Sequence, residues 1–117
     1  MDKAVKKPKK ITKKKQASMA RTAKRKALST WSKTVRERDG KCVICDRKDH
    51  LNSHHVLPKE TYKDLMYEII NGITLCPSHH KFGKFSAHKN PVWFANFLQE
   101  CRKDQWKWAV SNMGQEN

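Results

Sequence analysis

Residues 42–45 read Cys-Val-Ile-Cys and residues 76–80 read Cys-Pro-Ser-His-His, with the tandem pair His54-His55 between them. Cysteine and histidine pairs separated by two residues are typical of a tetrahedral zinc site in a small protein. His80 competes for the place of the fourth ligand, but His79 is preferred because it repeats the spacing of the first pair. We therefore predict a structural Zn2+ site with four ligands: Cys42, Cys45, Cys76 and His79.

The size and composition of the chain favour such a site. The chain has 117 residues, enough for one domain with tails, and 37% of them are hydrophobic. A core this thin commonly depends on a metal for its stability. No apolar run approaches the roughly 20 residues that span a bilayer, and no apolar segment follows the basic N-terminus as in a signal peptide. We expect a cytoplasmic protein with reduced cysteines, with two disulfides as the alternative.

Positive charge is concentrated at the N-terminus. The formal net charge is +15, and residues 1–30 hold 12 Lys/Arg and one acid, whereas the other 87 residues hold 14 Lys/Arg and 10 acids. Residues 1–28 are predicted to form a basic arm that is disordered when free, because it has little apolar surface to bury. Such an arm binds nucleic acid through counterion release, and residues 16–28 contain helix formers that favour a helix on DNA. A targeting or solubilising role is the alternative.

Residues 29–113 are predicted to fold as one small α+β domain. A helix is expected from a Thr30 cap to a stop at Gly40, and residues 51–57 favour a strand. Further elements follow along the chain: a helix over 59–70, a strand over 73–75, a helix over 77–82, a helix from Pro91 to about residue 102, and a last short helix over 106–113. The tryptophans recur at helical spacing, which favours the core over base stacking.

Longer motifs resemble a known family. Residues 54–58 read His-His-Val-Leu-Pro, and residues 71–80 read Asn-Gly-Ile-Thr-Leu-Cys-Pro-Ser-His-His. Together they resemble the HNH endonucleases, which belong to the ββα-metal or His-Me finger nucleases. Residues 31–42, Trp-Ser-Lys-Thr-Val-Arg-Glu-Arg-Asp-Gly-Lys-Cys, resemble the helix and knuckle of the zinc-containing, often phage-borne members. The resemblance covers about residues 30–90. It implies a zinc-stapled, treble-clef-like ββα-metal domain with flanking helices, at work in a bacterial or phage-infected cell.

The resemblance implies a role for each matching residue. His55 takes the place of the general base, and Asn71 takes the place of the residue that orients this base through the hairpin. His54 and His80 take the places of ligands to a single catalytic divalent metal: Mg2+, Mn2+, Ni2+ or Zn2+. Many members have another ligand one helical turn after His80, where this chain has Lys84, which cannot ligate while protonated. His88 is the predicted substitute.

The chemistry expected from these residues is hydrolysis of a DNA phosphodiester. A neutral histidine can take the proton of an attacking water near pH 7, and a divalent metal can bind a phosphate oxygen and the leaving 3′ oxygen. The DNA, expected to be double-stranded, is predicted to contact six cations: Lys81, Lys84, Lys89, Arg21, Lys24 and Arg25.

Two other functions stay open. One is a non-catalytic zinc-knuckle module that binds nucleic acid, and the other is an interaction domain whose basic arm is a targeting signal. A binding module needs the zinc ligands and the arm, but it does not need a general base or a second metal site. The residues that discriminate between these functions are therefore four: His54, His55, Asn71 and His80.

Overall fold

The computed structural model describes residues 10–114 and shows a small α+β fold. A two-stranded antiparallel sheet pairs Asn52 with Leu75 and His55 with Gly72. The regular elements are, in chain order, α1 (Lys13–Asp39), β1 (Asn52–His55), β2 (Gly72–Leu75), α2 (Pro91–Cys101) and α3 (Lys103–Met113). Three short turns complete them: 3-10 turns at Lys63–Leu65 and Ile69–Asn71, and a π-type turn at Ser78–Phe82. Within the described residues, no helix is both long enough and apolar enough to span a membrane.

Helix α1 is much longer than the sequence predicted. The predicted start at Thr30 is wrong, because the helix begins at Lys13 and its N-terminus is capped by the side chain of Thr12. Residues 13–28, predicted to be disordered in the free chain, are therefore helical, and the predicted boundary between arm and domain falls inside α1. The physical reason is local, since residues 13–39 contain neither glycine nor proline and the first half is rich in alanine, lysine and arginine. Residues 1–9 of the predicted arm lie outside the described residues.

The predicted stop of α1 is confirmed. Gly40 adopts a left-handed conformation with φ of 69° and donates its N–H to the carbonyl of Arg36 at 2.7 Å. A glycine takes this backbone conformation without the steric penalty of a side chain, which is why it commonly ends helices.

The sheet is covered by α1 on one face and by α2 on the other. Trp31 and Val35 of α1 are buried against Gly72, where a Cβ atom would overlap a methyl carbon of Val35. This close approach requires a glycine at the start of β2. On the opposite face, Phe94 and Leu98 of α2 close the main core, which also contains Cys42, Ile73, Leu75, Cys76 and Ala87.

Strand alternation therefore sends neighbouring side chains of β1 to different partners. His55, whose partner in the register is Gly72, lies on the α1 face. His54, paired with Ile73, lies on the α2 face beside Phe94, with ring centroids 5.3 Å apart. The prediction that the tandem histidines diverge is confirmed.

The segment between the strands does not form the predicted helix. The helix predicted over 59–70 is wrong, because this segment forms the two 3-10 turns with irregular backbone around them. Buried Asn71 explains the difference. Its amide nitrogen donates to the carbonyls of Leu57 and Leu65, and its oxygen accepts from the Leu57 N–H at 2.7 Å. These three bonds fold the segment back over the sheet, at the expense of helical hydrogen bonds.

The predicted helix from Pro91 is confirmed as α2, whereas the last helix, α3, begins at Lys103 and not at residue 106, and the helix predicted over 77–82 is a single π-type turn. Pro91 occupies the first turn of α2, and the side chain of Asn90 caps that helix by accepting from the Trp93 N–H. Helix α3 packs beside α2 and places Gln105 against the sheet, where its amide donates to the carbonyl of Gly72 at 2.7 Å. No feature of the sequence pattern indicated that this glutamine would be buried.

A buried carboxylate joins α1, β2 and α3. The side chain of Asp39 is 3% exposed and accepts hydrogen bonds from the Arg38 guanidinium, the Arg102 guanidinium and the Thr74 N–H. Burial raises the pKa of Asp39, but the hydrogen bonds from Arg38 and Thr74 and the two positive charges outweigh it, so the pKa lies below its ordinary value of 3.8. The resulting stabilisation is present at neutral pH and is lost as the pH falls below 3.8 towards the lowered pKa.

We expect Asp39→Ala to lower the free energy of unfolding by about 3 kcal/mol, because it leaves a buried N–H and two guanidinium groups without their shared acceptor. The matched control is Asp49→Ala, which removes an exposed carboxylate paired with Arg47 and should leave stability nearly unchanged. Urea unfolding of both variants at pH 7, with bound metal retained, measures the difference. Equal effects of the two substitutions would show that the Asp39 network does not stabilise the fold.

Candidate metal centres and active-site groove

The structure brings the four predicted zinc ligands together. The ligand atoms of Cys42, Cys45, Cys76 and His79 all lie within 4.8 Å of one another. Cys45 Sγ is 3.7 Å from Cys76 Sγ, and His79 Nδ1 is 3.2 Å from Cys76 Sγ and 3.8 Å from Cys42 Sγ. Zinc bonds of about 2.3 Å to sulfur and about 2.0–2.1 Å to nitrogen imply tetrahedral edges of about 3.8 Å between sulfurs and about 3.6 Å between sulfur and nitrogen. The cluster therefore has the dimensions and donors to hold a metal such as zinc.

Local backbone structure sets the position of each ligand pair. The first pair lies on a tight turn in which Cys42 donates its N–H to the carbonyl of Arg47, and Asp46 adopts a left-handed φ of 67°. The second pair lies where β2 runs into the Ser78–Phe82 turn. All four cysteines of the chain lie in the described residues and are free, so the disulfide alternative is not adopted.

The surroundings of the Cys42 sulfur favour its thiolate form. Burial raises the pKa of this thiol, but backbone N–H groups of Cys76, Cys45 and Ile44 more than offset burial, and the pKa lies below its ordinary value. Since the thiolate is the form that binds metal, these backbone groups favour coordination at this position.

A second cluster consists of three histidines, which we call the histidine triad: His54, His80 and His88. Their ligand atoms also lie within 4.8 Å of one another. His80 Nε2 and His88 Nε2 are 3.1 Å apart, and the His54 ring lies 5.1 Å from each of the other two ring centroids. Two imidazoles bound to one metal through bonds of about 2.0–2.1 Å would place their nitrogens about 3.0–3.4 Å apart. The competition between His79 and His80 is resolved by the geometry: His79 joins the cysteines and His80 joins the triad.

Two members of the triad stay neutral at physiological pH. Burial, followed by the neighbouring charges of His80 and His88, lowers the pKa of His54 to about 3. Burial and then His88 lower the pKa of His80 to about 4. Neutral imidazole is the form that coordinates a metal, so these histidines need not lose a proton on binding.

The hydrogen bond of His55 fixes its tautomer. Its Nε2 lies 2.9 Å from the carbonyl of Met66, which can only accept, so Nε2 carries the proton. Nδ1 is then left with a free lone pair. Burial lowers the pKa of His55 from its ordinary value of 6.5, although the Met66 hydrogen bond opposes the shift. A neutral histidine held in one tautomer is suited to accept a proton.

Trp31 and Asn71 position this histidine. The Trp31 ring stacks on the His55 ring with centroids 3.8 Å apart and planes 7° apart, and its indole N–H donates to the carbonyl of Glu68 at 2.8 Å. Asn71 acts through the backbone, because it holds the segment that presents the Met66 carbonyl. The sequence pattern predicted only a packing role for Trp31, because its spacing to Val35 is that of an ordinary apolar helix face.

The histidines share one groove with two lysines. The groove has a volume of about 560 Å³, and its lining includes His54, His55, His80, His88 and Lys81. Lys59 and Glu60 also line it. The groove therefore contains three histidines able to bind a metal, one histidine able to accept a proton, and positive charge. These are the kinds of group that hydrolysis of a phosphate ester requires.

The other predicted nucleic-acid contacts are spread over two regions. Lys84 is exposed, with its Nζ 5.6 Å from the centroid of the Phe85 ring. Lys89 donates to the carbonyl of Phe82 at 3.0 Å, so it also fastens the loop. The remaining three, Arg21, Lys24 and Arg25, are exposed on the N-terminal half of α1.

Comparison with known proteins identifies no relative of this chain. No family model matches it, and no match was found among curated proteins or solved structures.

Proposed function

We propose that this chain is a metal-dependent DNA endonuclease of the HNH, ββα-metal type. The observation that carries the proposal is the meeting of the histidine triad and His55 in one groove. Structural stability alone does not require three convergent imidazoles, two of them partly buried, in addition to a complete Cys3His cluster. The order of elements supports the same conclusion, since β1 supplies His54 and His55, and the turn after β2 supplies His80.

The donor set of the triad fits a divalent metal. Imidazole suits zinc, nickel and other transition metals, and three protein ligands leave coordination positions for substrate oxygens and water. A divalent metal held by these residues would supply positive charge to the phosphate and to the leaving 3′ oxygen. The Cys3His cluster has four protein ligands and no open position, so its role in the proposal is structural.

His55 carries the proton transfer in the proposed reaction. Its Nδ1 accepts a proton from the water that attacks phosphorus. A new bond forms between that water oxygen and phosphorus, and the bond from phosphorus to the 3′ oxygen breaks. The 3′ oxygen takes a proton from solvent, which gives a 3′-hydroxyl and a 5′-phosphate. The Met66 carbonyl, already bonded to Nε2–H, stabilises the imidazolium that forms, and the Trp31 stack keeps the ring in its plane.

The basic half of α1 supports DNA as the substrate. Residues 13–29 carry seven Lys/Arg and no acid, and as a helix they extend for about 25 Å. Arg21, Lys24, Leu28, Trp31 and Val35 recur at alternating spacings of three and four, so they share one helix face. That face is apolar where it packs on the sheet and basic where it passes beyond it. DNA bound along the basic part is thus held by the same rigid helix that supports His55.

A non-catalytic nucleic-acid-binding module is the second candidate. The Cys3His cluster and the basic half of α1 suffice for that function. The histidine triad and the Met66–His55 hydrogen bond favour the endonuclease, because binding alone has no use for them.

The experiment that tests the proposal removes one triad histidine at a time. His80→Ala and His88→Ala should each lower plasmid cleavage at least about 100-fold at limiting Mn2+, with partial recovery as the metal concentration rises, because each removes one of three ligands. His50→Ala is the matched control, since His50 is exposed and lies outside both clusters. Wild-type activity in both triad variants, with structural zinc retained, would overturn the assignment of the catalytic metal.

The DNA-binding role of α1 gives a separate prediction. The variant Arg21→Ala/Lys24→Ala/Arg25→Ala should weaken DNA binding and reduce the slope of log affinity against log salt by about 0.9 for each phosphate that the helix no longer binds. Alanine preserves the helix, so circular dichroism should not change. The charge-matched control removes three exposed lysines elsewhere: Lys48, Lys103 and Lys107. If both variants change the slope equally, net charge and not α1 governs binding.

A further inference from the structure

The loop between His80 and His88 exposes two phenylalanines beside the groove. Phe82 is 72% exposed and Phe85 is 50% exposed. Both rings lie within a few residues of a triad histidine along the chain. Exposed aromatic rings next to a site are typical of a surface that meets a ligand.

Hydrogen bonds hold this loop in place at both ends. The N–H of Gly83 donates to the carbonyl of Ser78 at 2.7 Å, and a Cβ atom on Gly83 would lie 2.6 Å from that oxygen, so the close approach requires glycine. At the other end, the N–H of His88 donates to the carbonyl of His80 at 3.1 Å.

The loop holds the backbone of Phe82 and the ring of Phe85. Lys89 donates to the carbonyl of Phe82, and the Phe85 ring packs at 5.7 Å from the ring of Trp93. The Phe85 ring therefore has a set position relative to the triad, and the exposed Phe82 ring extends from a fastened backbone. A preorganised aromatic surface of this kind loses little conformational entropy when it binds.

The charge around the loop selects the kind of ligand. Residues 69–99 contain no Asp or Glu, and Lys81, Lys84 and Lys89 lie within or beside the loop. Lysines beside exposed flat apolar rings fit a polyanion that also offers flat apolar groups. Nucleic acid with accessible base faces has this combination, and the adjacent groove is already suited to its phosphate.

We propose that Phe82 and Phe85 stack on unpaired nucleobases, so that the preferred substrate of the site is DNA with unpaired bases at the point of cleavage. In a regular duplex each base face is covered by its neighbours, and the rings have nothing to stack on. Bulges, mismatches and branch points expose base faces next to a phosphate, and aromatic side chains stack favourably on such faces. This inference rests on the proposed endonuclease function and specifies its substrate class.

The test compares two end-labelled duplexes of the same sequence, one fully paired and one with a short bulge of unpaired thymines. Wild type should cut the bulged duplex at least about tenfold faster, at bonds next to the bulge. Phe82→Ala/Phe85→Ala should remove most of this preference. Val92→Ala, which shortens an 81% exposed apolar residue of α2 outside the loop, should keep it. A retained preference in the double phenylalanine variant would overturn the proposal.

Binding gives a readout that does not depend on catalysis. In the His55→Ala background, the Phe82→Ala/Phe85→Ala change should weaken affinity for the bulged duplex by about tenfold more than affinity for the paired duplex. Phe82→Leu/Phe85→Leu should behave like the alanine variant if the rings stack. Full affinity in the leucine variant would instead indicate an apolar wedge between base pairs, which contradicts stacking.

Other occupants of the loop would give different results. Loss of binding to phosphatidylserine vesicles in the double alanine variant would assign the rings to a membrane surface, and a change from dimer to monomer on sedimentation would assign them to a second copy of the chain. Either result overturns the proposal. If wild type cuts neither duplex, the endonuclease function itself fails. If wild type cuts both duplexes equally, only the substrate class fails.

Discussion

Cys45→Ala should leave the chain without a stable fold, whereas Cys101→Ala should fold as the wild type does. Both residues are exposed free cysteines, but only Cys45 belongs to the Cys3His cluster. Metal binding at such clusters contributes about 10–16 kcal/mol near pH 7, which is as large as the entire net stability of a typical domain of about 5–15 kcal/mol. Loss of one ligand therefore removes most of the energy that keeps this fold.

The topology shows why the effect should be global. The cluster ties the turn after α1 to the end of β2 and to the Ser78–Phe82 turn, and Cys42 and Cys76 are themselves part of the main core. Zinc content by elemental analysis and thermal unfolding by circular dichroism measure the outcome. One zinc per folded wild-type chain is expected, with none in Cys45→Ala. A folded wild-type chain that contains no zinc would contradict the structural role of the cluster.

His55→Ala should lower the rate of DNA cleavage about 10²–10⁴-fold, which is the usual effect of removing a positioned general base. Zinc content, fold and DNA affinity should be preserved, because His55 belongs to neither cluster and contacts Met66 and Trp31. Single-turnover cleavage of plasmid DNA at saturating protein measures the chemical step. Added metal should not restore the activity, and this separates His55 from the triad histidines.

Two further variants test whether the loss of cleavage is specific to His55. His50→Ala changes an exposed histidine close to His55 in sequence and should cleave at the wild-type rate. Trp31→Phe keeps an aromatic ring beneath His55 but removes the indole N–H that bonds to Glu68. It should therefore reduce cleavage less than His55→Ala does. A wild-type rate in His55→Ala would show that another group accepts the proton.

Both ligand clusters could be predicted from sequence, the Cys3His cluster from the local spacing within each ligand pair and the triad from the family resemblance. The pairs 42–45 and 76–79 have a spacing that few structures other than a metal site require, and the structure brings their ligand atoms together. The resemblance to HNH endonucleases pointed to His54 and His80, and it also pointed to His88 as the substitute where Lys84 departs from the family pattern. The structure places all three of these histidines in one triad.

The missed features depend on contacts that a sequence pattern does not contain. The partner of His55 is a backbone carbonyl, which every residue has, so nothing in the identity of Met66 marks it. The helix predicted over 59–70 had suitable apolar spacing, but three hydrogen bonds from the single side chain of Asn71 favour two turns instead. Thr30 resembled a helix cap, yet the strong helix formers before it carry α1 back to Thr12, which provides the actual cap.

We propose that the groove hydrolyses DNA with a divalent metal. The direct measurement is incubation of the purified wild-type chain with supercoiled plasmid in EDTA and then with Mg2+, Mn2+, Ni2+, Co2+ or Zn2+ in turn, followed by analysis of the new DNA ends. We expect no cleavage in EDTA, and nicked or linear product with at least one metal, carrying 5′-phosphate and 3′-hydroxyl ends. Intact plasmid with all five metals, or cleavage that persists in EDTA, would contradict it.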